Sequence, residues 1–418
     1  MQRKSNIRVA VIGGGAAGMM AAGTALRNGA DVTVFEHSGR LGKKLAITGK
    51  GRCNVTNNCS SDEFIRNVMS NPRFMYTAIS EFTTQDTIDF FEGLGVALKT
   101  ERGRRVFPQS DKASDIVDAM KRQIKGARIV FENVRSVETK NSKAVGVITD
   151  KGEYPFDSVI IASGGMSYPL TGSDGSGYRI ASALGHNITR ITPSLVPIET
   201  DDDICAKMQG LSLKNTKITV TDENGSTIYE DFGELLFTHF GISGPTVLSA
   251  SAHLGKYDIS KLSIVLDLKP ALDEKTLDAR ILCDFSEAKN KDFGNALSGL
   301  LPSKMASVMP QITHIPADKK VNEITKEERK RLLYALKSFK IKLKRLRPIE
   351  EAIITRGGID TKEISPKTMQ SKLVSSLYFA GEVIDVDAYT GGYNLQIAFS
   401  TGYLAGLNAS KEDNISLC

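Results

Sequence analysis

Residues 49–57 read GKGRCNVTN. Two glycines, two cations, a thiol and two carboxamides fall within nine positions. Gly49 and Gly51 let the backbone turn its N–H groups toward an acceptor. Lys50 and Arg52 supply positive charge suited to a pyrophosphate, or to the pyrimidine edge of a ring that becomes negative on reduction. Asn54 and Asn57 donate and accept at short range. Cys53 reads either as a redox-active thiol with no second cysteine spaced to resolve it, or as a buried structural cysteine. The stretch as a whole reads as a ligand loop or as an exposed basic turn.

Upstream, IRVAVI (7–12) has the β-branched composition of a buried parallel strand. GGGAAG (13–18) follows, then MMAAGTALRNG, a helical pattern closed by Gly29, and DVTVFE, a second strand ending at Glu36. Gly13, Gly15 and Gly18 stand at GxGxxG spacing: one for the tight turn, one for approach of a pyrophosphate, one for close helix–strand packing. The helix N-terminus then offers free N–H groups to phosphates. Glu36 stands where a carboxylate accepts from adenosine ribose hydroxyls and repels a 2′-phosphate, which points to FAD or NAD rather than NADP.

The far end of the chain separates those two. SLYFAGE (376–382) reads as an apolar strand ending in Gly-Glu, and AYTGGYNLQIAFSTGYLAG (388–406) as a glycine-rich turn opening a long helix. DSVIIASGG (157–165) is a third strand ending in glycines. A second helix N-terminus returning to the same site suits the length of FAD better than NAD.

These stretches together resemble the HI0933-like flavoproteins, single-FAD oxidoreductases related to the two-dinucleotide-fold superfamily. The resemblance is carried by GGGAAG, GKKLAITGKGRCNVTN (42–57), SGGMSYPLTGSDGSGYRIASALGH (163–186), THFGISGP (238–245), TRGGI (355–359) and GEVIDVDAYTGGYNLQIAFSTG (381–402). Ala46, Thr48, Lys50 and Ala388 look like ordinary variation within it. It implies an α/β fold: a discontinuous Rossmann-type FAD-binding domain (1–190 and 348–418) holding an inserted β-barrel-like unit (191–270) and a helical unit (271–347), the insert covering the flavin. It implies FAD contacts from Gly13, Gly15, Ala16, Ala17, Gly18, Glu36, Lys43, Lys44, Gly51, Arg52, Cys53, Asn54, Val134, Ser163, Gly164, Gly165, Gly381, Glu382, Gly391, Gly392, Tyr393, Asn394 and Leu395. The helix opening at Thr390–Gly392 is expected to aim its dipole at the flavin N1–C2=O edge.

In the middle, KITVTDENGSTIYED (217–231) is a hairpin signal, and LDEKTLDARILCDFSEA, NALSGLLPSKMASVM and TKEERKRLLYALKSFKIKLKRLR read as helical. Residues 319–347 carry twelve Lys or Arg against three Glu. That excess suits either ribosomal RNA phosphates or the solvated face of a helix with Leu332, Leu333, Leu336 and Phe339 turned inward. Tyr168, Tyr389 and Tyr393 are proton-donor candidates by motif position, and His239 lies in a family stretch. Each also reads as a structural side chain.

Composition excludes several classes. Five scattered cysteines (Cys53, Cys59, Cys205, Cys283, Cys418) without CxxC argue against a disulfide framework and for a reducing cytoplasm. His37, His186, His239, His253 and His314 show no metal-ligand spacing, so no metal is expected. No GxSxG or long apolar run occurs, and the glycine cluster interrupts the signal-peptide look of the first residues. A net charge of +6 implies no polyanionic partner by itself. With one dinucleotide fold visible, NADH or NADPH is expected to visit transiently. The expected reaction is NAD(P)H-driven reduction of an activated C=C bond: a uracil of large-subunit ribosomal RNA, or a small enone such as an unsaturated oxo-steroid. The alternatives are an amine oxidase using oxygen, and an RNA- or protein-binding factor with structural FAD.

Overall fold

The computed structural model describes residues 7–411. The basic start MQRKSN and Cys418 lie outside them. The chain forms two compact units: one runs to Pro193 and resumes at Ala352, the other is Ser194–Glu351.

The first unit is built on β1 (Arg8–Ile12), α1 (Ala16–Arg27), β2 (Asp31–Phe35), β3 (Arg128–Val130), β4 (Ser158–Ile161), β5 (Leu377–Phe379) and α2 (Tyr393–Ala409). The five strands lie in the order β5-β4-β1-β2-β3, every neighbour parallel. In β1 and β2 all residues but the first are buried, as strands covered on both faces require. The chain leaves β1 through Gly13, at φ 107°, whose N–H donates to the Phe35 carbonyl at 2.8 Å. A Cβ at Gly13 would lie 2.5 Å from the Ala162 carbonyl oxygen, and one at Gly18 would lie 1.9 Å from the Gly13 oxygen. These two glycines are therefore fixed by the protein's own backbone.

β5 joins the sheet beside β4, about 216 residues later in the chain, and delivers α2 onto α1. That contact is made of small residues. A Cβ at Gly402 would stand 2.5 Å from the Ala17 oxygen, and one at Gly406 would stand 2.3 Å from the Ala21 oxygen. Removing the side chain is what allows two backbones to approach so closely.

Beside β5 lies a polar triplet of buried His186 and Ser371 with half-buried Glu363. His186 has no exposed side-chain surface and meets Phe379 edge-on, centroids 4.9 Å apart. Its Nε2 is 2.9 Å from Ser371 Oγ and its Nδ1 is 3.1 Å from Glu363 Oε2. Ser371 Oγ already accepts the N–H groups of Leu373 and Val374, so its O–H donates to Nε2. Nδ1 then carries the ring proton and donates it to Glu363. Burial holds the His186 pKa below its ordinary value, against the pull of Glu363.

The second unit contains a closed barrel of six strands, in the order 198–200, 241–243, 227–238, 212–221, 263–267 and 339–346. The expected hairpin is present, Ser212–Thr221 pairing antiparallel with Thr227–Thr238. Ile198, Ile218, Val220, Phe237, Ile264, Leu266 and Leu343 are fully buried within this unit. Its longer helices are Pro245–Leu254, Glu274–Glu287, Ser303–Thr313 and Lys326–Lys337.

The helical reading of 271–347 is corrected at its end. The last helix starts at a capping box, with the Thr325 side chain accepting from Glu328 N–H and the Glu328 carboxylate accepting from Thr325 N–H, and it stops at Lys337. Phe339–Leu346 is a strand that closes the barrel. Its FKIKLK pattern alternates buried and exposed with period two, so Phe339 turns inward at strand spacing, not helical spacing. Leu332 and Leu336 do face inward on the helix, and Leu333 is half-buried.

Two outcomes are expected here. Gly402→Ala or Gly406→Ala should destabilise the protein by about 1–3 kcal/mol, as overpacking does, read as a lower denaturant midpoint. For His186 the folded pKa lies below the unfolded value of about 6.5, so the native state binds fewer protons in that window. Stability should fall as pH drops from about 6.5 toward the folded pKa. A His186→Gln variant should show a smaller loss between about pH 7.5 and 5.5 than the parent, measured by unfolding at each pH.

Candidate cofactor site

At the carboxyl ends of β1, β2 and β4, an open cleft encloses about 1460 Å³ of empty space including its mouth. This is where open parallel sheets place their ligands. The cleft gathers its walls from distant segments: Gly13–Ala17, Glu36–His37, Lys43–Leu45, Thr48–Gly49, Asn54, Ala162–Gly164, Thr171–Ser173, Ile353–Ile354, Glu382, and residues between Val386 and Ala398.

Glu36 is 8% exposed, and both its oxygens are oriented by backbone. Oε2 accepts from Gly14 N–H at 2.9 Å and Oε1 from Ser38 N–H at 2.7 Å. Across from it, α1 begins at Gly15 with no side-chain cap and no acid in its first turn. A Cβ on Gly15 would meet nothing within 4 Å. Unlike Gly13 and Gly18, this glycine keeps open a space that the protein does not use itself.

α2 opens on the same cleft. Its N-cap is Gly392 at φ 100°, preceded by Gly391 at φ 124°, again with no side-chain cap and no acid in the first turn. Asn394 braces the approach: its Oδ1 accepts from Ala388 N–H at 2.9 Å, and its Nδ2 donates to the Ala388 oxygen at 2.8 Å. A Cβ on Gly392 would sit 2.4 Å from the Thr56 carbonyl, so the loop 49–57 is packed directly on the start of α2. Asn57 Nδ2 donates to the carbonyls of Gly391 (3.1 Å) and Gly103 (3.0 Å). Asn57 thus holds the scaffold, whereas Asn54 faces the cleft.

Within GKGRCNVTN the backbone is left-handed at Gly49, Lys50, Gly51 and Cys53. Non-glycine residues in that region store strain that the surroundings must hold. Gly49 and Asn54 reach the cleft wall. Arg52 does not. Its guanidinium donates to Asp111 at 2.8 Å and to Glu101 at 2.5 Å, and stacks over the Phe107 ring at 4.2 Å. Cys53 is fully buried, and burial pushes its thiol up to about 12, so it stays a protonated core side chain.

Two buried oxygens at the cleft wall, Asn54 Oδ1 and Ser163 Oγ, have no hydrogen-bond partner among the described residues. A native interior rarely leaves such atoms unsatisfied. Nearby, Lys44 Nζ bridges Glu382 Oε2 and Ser167 Oγ, both at 2.6 Å. Glu382 Oε1 also accepts from Ser167 Oγ (2.9 Å) and Thr355 N–H (2.9 Å). This cluster ties the segment after β2 to the returning strand. Gly165 permits it, since a Cβ there would lie 2.4 Å from Thr355 Oγ1.

The other residues expected at the cofactor stand elsewhere. Gly18, Gly51, Gly165, Gly381 and Val134 are absent from the cleft wall. Gly381 lies against Ala17, where a Cβ would come within 2.7 Å of its methyl. Tyr393 is buried against Phe64, and burial pushes its hydroxyl up to about 12. Tyr168 is partly exposed at φ 52°, outside the wall, and His239 belongs to the second unit. Of the tyrosine candidates, Tyr389 lines the cleft. The wall also holds residues that the sequence did not single out, among them Gly14, His37, Arg40, Thr171–Ser173 and Ile353–Ile354. Thr171–Ser173 sat inside a quoted motif, whereas Ile353 and Ile354 carry no signal beyond being apolar.

Among the described residues, no group of His, Cys, Asp and Glu is arranged to hold a metal ion, and no helix is long and apolar enough to cross a membrane.

Comparison with known proteins agrees with this architecture. The chain is 31% identical to the 3-dehydro-bile acid delta(4,6)-reductase of Clostridium scindens, over 97% of this chain and 99% of the relative. It is 32% identical to the ribosomal RNA dihydrouridine synthase of Haemophilus influenzae, over 96% and 98%. Among solved structures, 3-ketosteroid delta1-dehydrogenase from Sterolibacterium denitrificans superposes with a TM-score of 0.52 at 12% identity, covering 97% of this chain and 99% of that one, a likeness of fold. The HI0933-like protein Rossmann domain matches residues 7–408, and the chain belongs to that family.

Proposed function

We propose that this FAD-dependent oxidoreductase uses NADH or NADPH to reduce a C=C bond conjugated to a carbonyl, with uracil of large-subunit ribosomal RNA as its substrate. The carrying observation is the cleft into which two uncapped helix N-termini open beside two unsatisfied buried oxygens. Helix N-termini attract negative charge. At α1 they suit the pyrophosphate, and at α2 the pyrimidine edge of the flavin. Glu36 would accept from the adenosine ribose, and Asn54 and Ser163 would find their missing partners on the cofactor. When bound, the flavin supplies hydride transfer to an electron-poor carbon. The chain's part is to hold it, exclude water and supply a proton, for which Tyr389 is the tyrosine candidate that reaches the wall.

Two full-length relatives support the bond type, since one is named a bile acid reductase and the other a ribosomal RNA dihydrouridine synthase. The first of these also favours a second reading, a small enone in place of RNA. The exposed lysines of the barrel unit favour RNA.

Gly15→Ala separates the cofactor reading from a merely structural glycine. The variant should unfold like the parent apoprotein yet bind FAD at least about tenfold more weakly, followed by flavin fluorescence on titration. Gly18→Ala should instead fail to fold stably. Equal FAD affinity in a folded Gly15→Ala protein would contradict the proposed pyrophosphate position. For the reaction, anaerobic NADH or NADPH should bleach the bound flavin, and ribosomal RNA lacking dihydrouridine should restore its colour. If only a small enone restores it, the RNA substrate is wrong. If neither reductant bleaches it, the NAD(P)H-driven reaction is wrong.

A further inference from the structure

The charge of residues 319–347 changes meaning once its partners are known. Lys319, Lys320, Arg329, Arg331, Lys337, Arg345 and Arg347 are all in ion pairs, with Glu328, Asp292, Asp278, Glu328, Asp267, Glu199 and Glu199 respectively. Lys326, Lys330, Lys340, Lys342 and Lys344 are exposed, and no ion pair engages them among the described residues.

Those five are ordered. Lys340, Lys342 and Lys344 alternate with buried Phe339, Ile341 and Leu343, so they stand on the outer face of one barrel strand, about 7 Å apart. Lys326 and Lys330 lie at i and i+4 on the preceding helix, and the next position of that stripe is Tyr334. Tyr334 is 70% exposed, an uncommon placement for a large aromatic ring. Helix and strand are joined through Ser338, whose N–H donates to the Tyr334 carbonyl at 2.7 Å. Two acids temper the surface. Glu327 is exposed on the same helix, and the Asp201 N–H donates to the Lys342 carbonyl, setting a carboxylate beside the strand.

Resting on the RNA reading above, we infer that Tyr334 and these five lysines form a contact surface for single-stranded RNA. The strand and helix lysines meet phosphates, and Tyr334 stacks on an unpaired base. Unpaired cations in a row supply the salt-dependent, sequence-independent part of such binding, and an exposed ring at the end of the helix stripe, one short connection before the strand, supplies stacking that any base satisfies. A closed barrel offers no free strand edge, so recognition here goes through side chains.

The test uses the FAD-loaded full chain and a large-subunit ribosomal RNA fragment containing single-stranded loops. K340Q/K342Q/K344Q should weaken binding about tenfold or more and reduce the slope of log K against log salt by about 2. Tyr334→Ala should weaken binding at least about fivefold while leaving that slope unchanged, and Tyr334→Phe should restore it. All variants should keep the parent's flavin spectrum and its rate of bleaching by NADPH. Unchanged RNA affinity in both variants, or a parent that binds no RNA, overturns the surface. Loss of binding in the variants, with a parent that binds RNA yet forms no dihydrouridine, upholds the surface and overturns the substrate assignment.

Discussion

The close approach of α1 and α2 is the constraint on which the site depends. Ala17 and Ala21 meet Gly402 and Gly406 with backbone nearly touching backbone, and any side chain at the glycines would collide with a carbonyl oxygen. Because the helices are pressed together, their N-termini open on one space, although nearly the whole chain separates them in sequence. Each end presents unbonded N–H groups and the positive end of its dipole. Neither end has a side-chain cap or a first-turn acid to neutralise it. The polypeptide leaves this charge unanswered, and an extended molecule carrying negative or acceptor groups at separated points answers both ends at once.

The loop 49–57 serves that arrangement in two ways. Asn57 and the Thr56 backbone hold the glycine turn ahead of α2, while Gly49 and Asn54 present themselves to the cleft. Residues with so little separation have opposite duties because the backbone between them runs through left-handed conformations at Lys50, Gly51 and Cys53. The strain is held from below by buried Cys53 and from the side by Arg52, clamped between Glu101, Asp111 and the Phe107 ring. Arg52 therefore shapes the site without lining it.

Much of the fold was legible in the sequence, because strand composition, glycine spacing and helix punctuation are local. GxGxxG named its turn, and the return of a second glycine-opened helix was written in GGYNLQ. The boundary at Lys337 was not legible by composition, since KSFKIKLKRLR is rich in helix formers; the alternation of Phe339, Ile341 and Leu343 was the signal that outweighed propensity. In the site, a motif states that a residue belongs to a neighbourhood but not where its side chain points. Asn54 and Asn57 look alike in the pattern, yet one reaches the cleft wall and the other holds the carbonyls of Gly391 and Gly103. Ile353 and Ile354 reach the wall through tertiary packing alone, which no local pattern encodes.

Charge poses the same problem in a stronger form. A cation has meaning for a partner only if the protein has not already engaged it, and surface ion pairs absorb cations without showing in a count. In residues 319–347 the arginines are all taken up, as suits their planar, multidentate heads. What remains unpaired among the described residues is lysine, whose compact charge makes few geometric demands. Exposed lysines spread over a helix and the strand that follows it, with an exposed ring on the same helix, suit a flexible polyanion with varied bases better than one small anionic ligand. The strongly basic segment thus resolves into two populations: four arginines and Lys319, Lys320 and Lys337 engaged by acids of the same unit, and five lysines that no ion pair engages among the described residues.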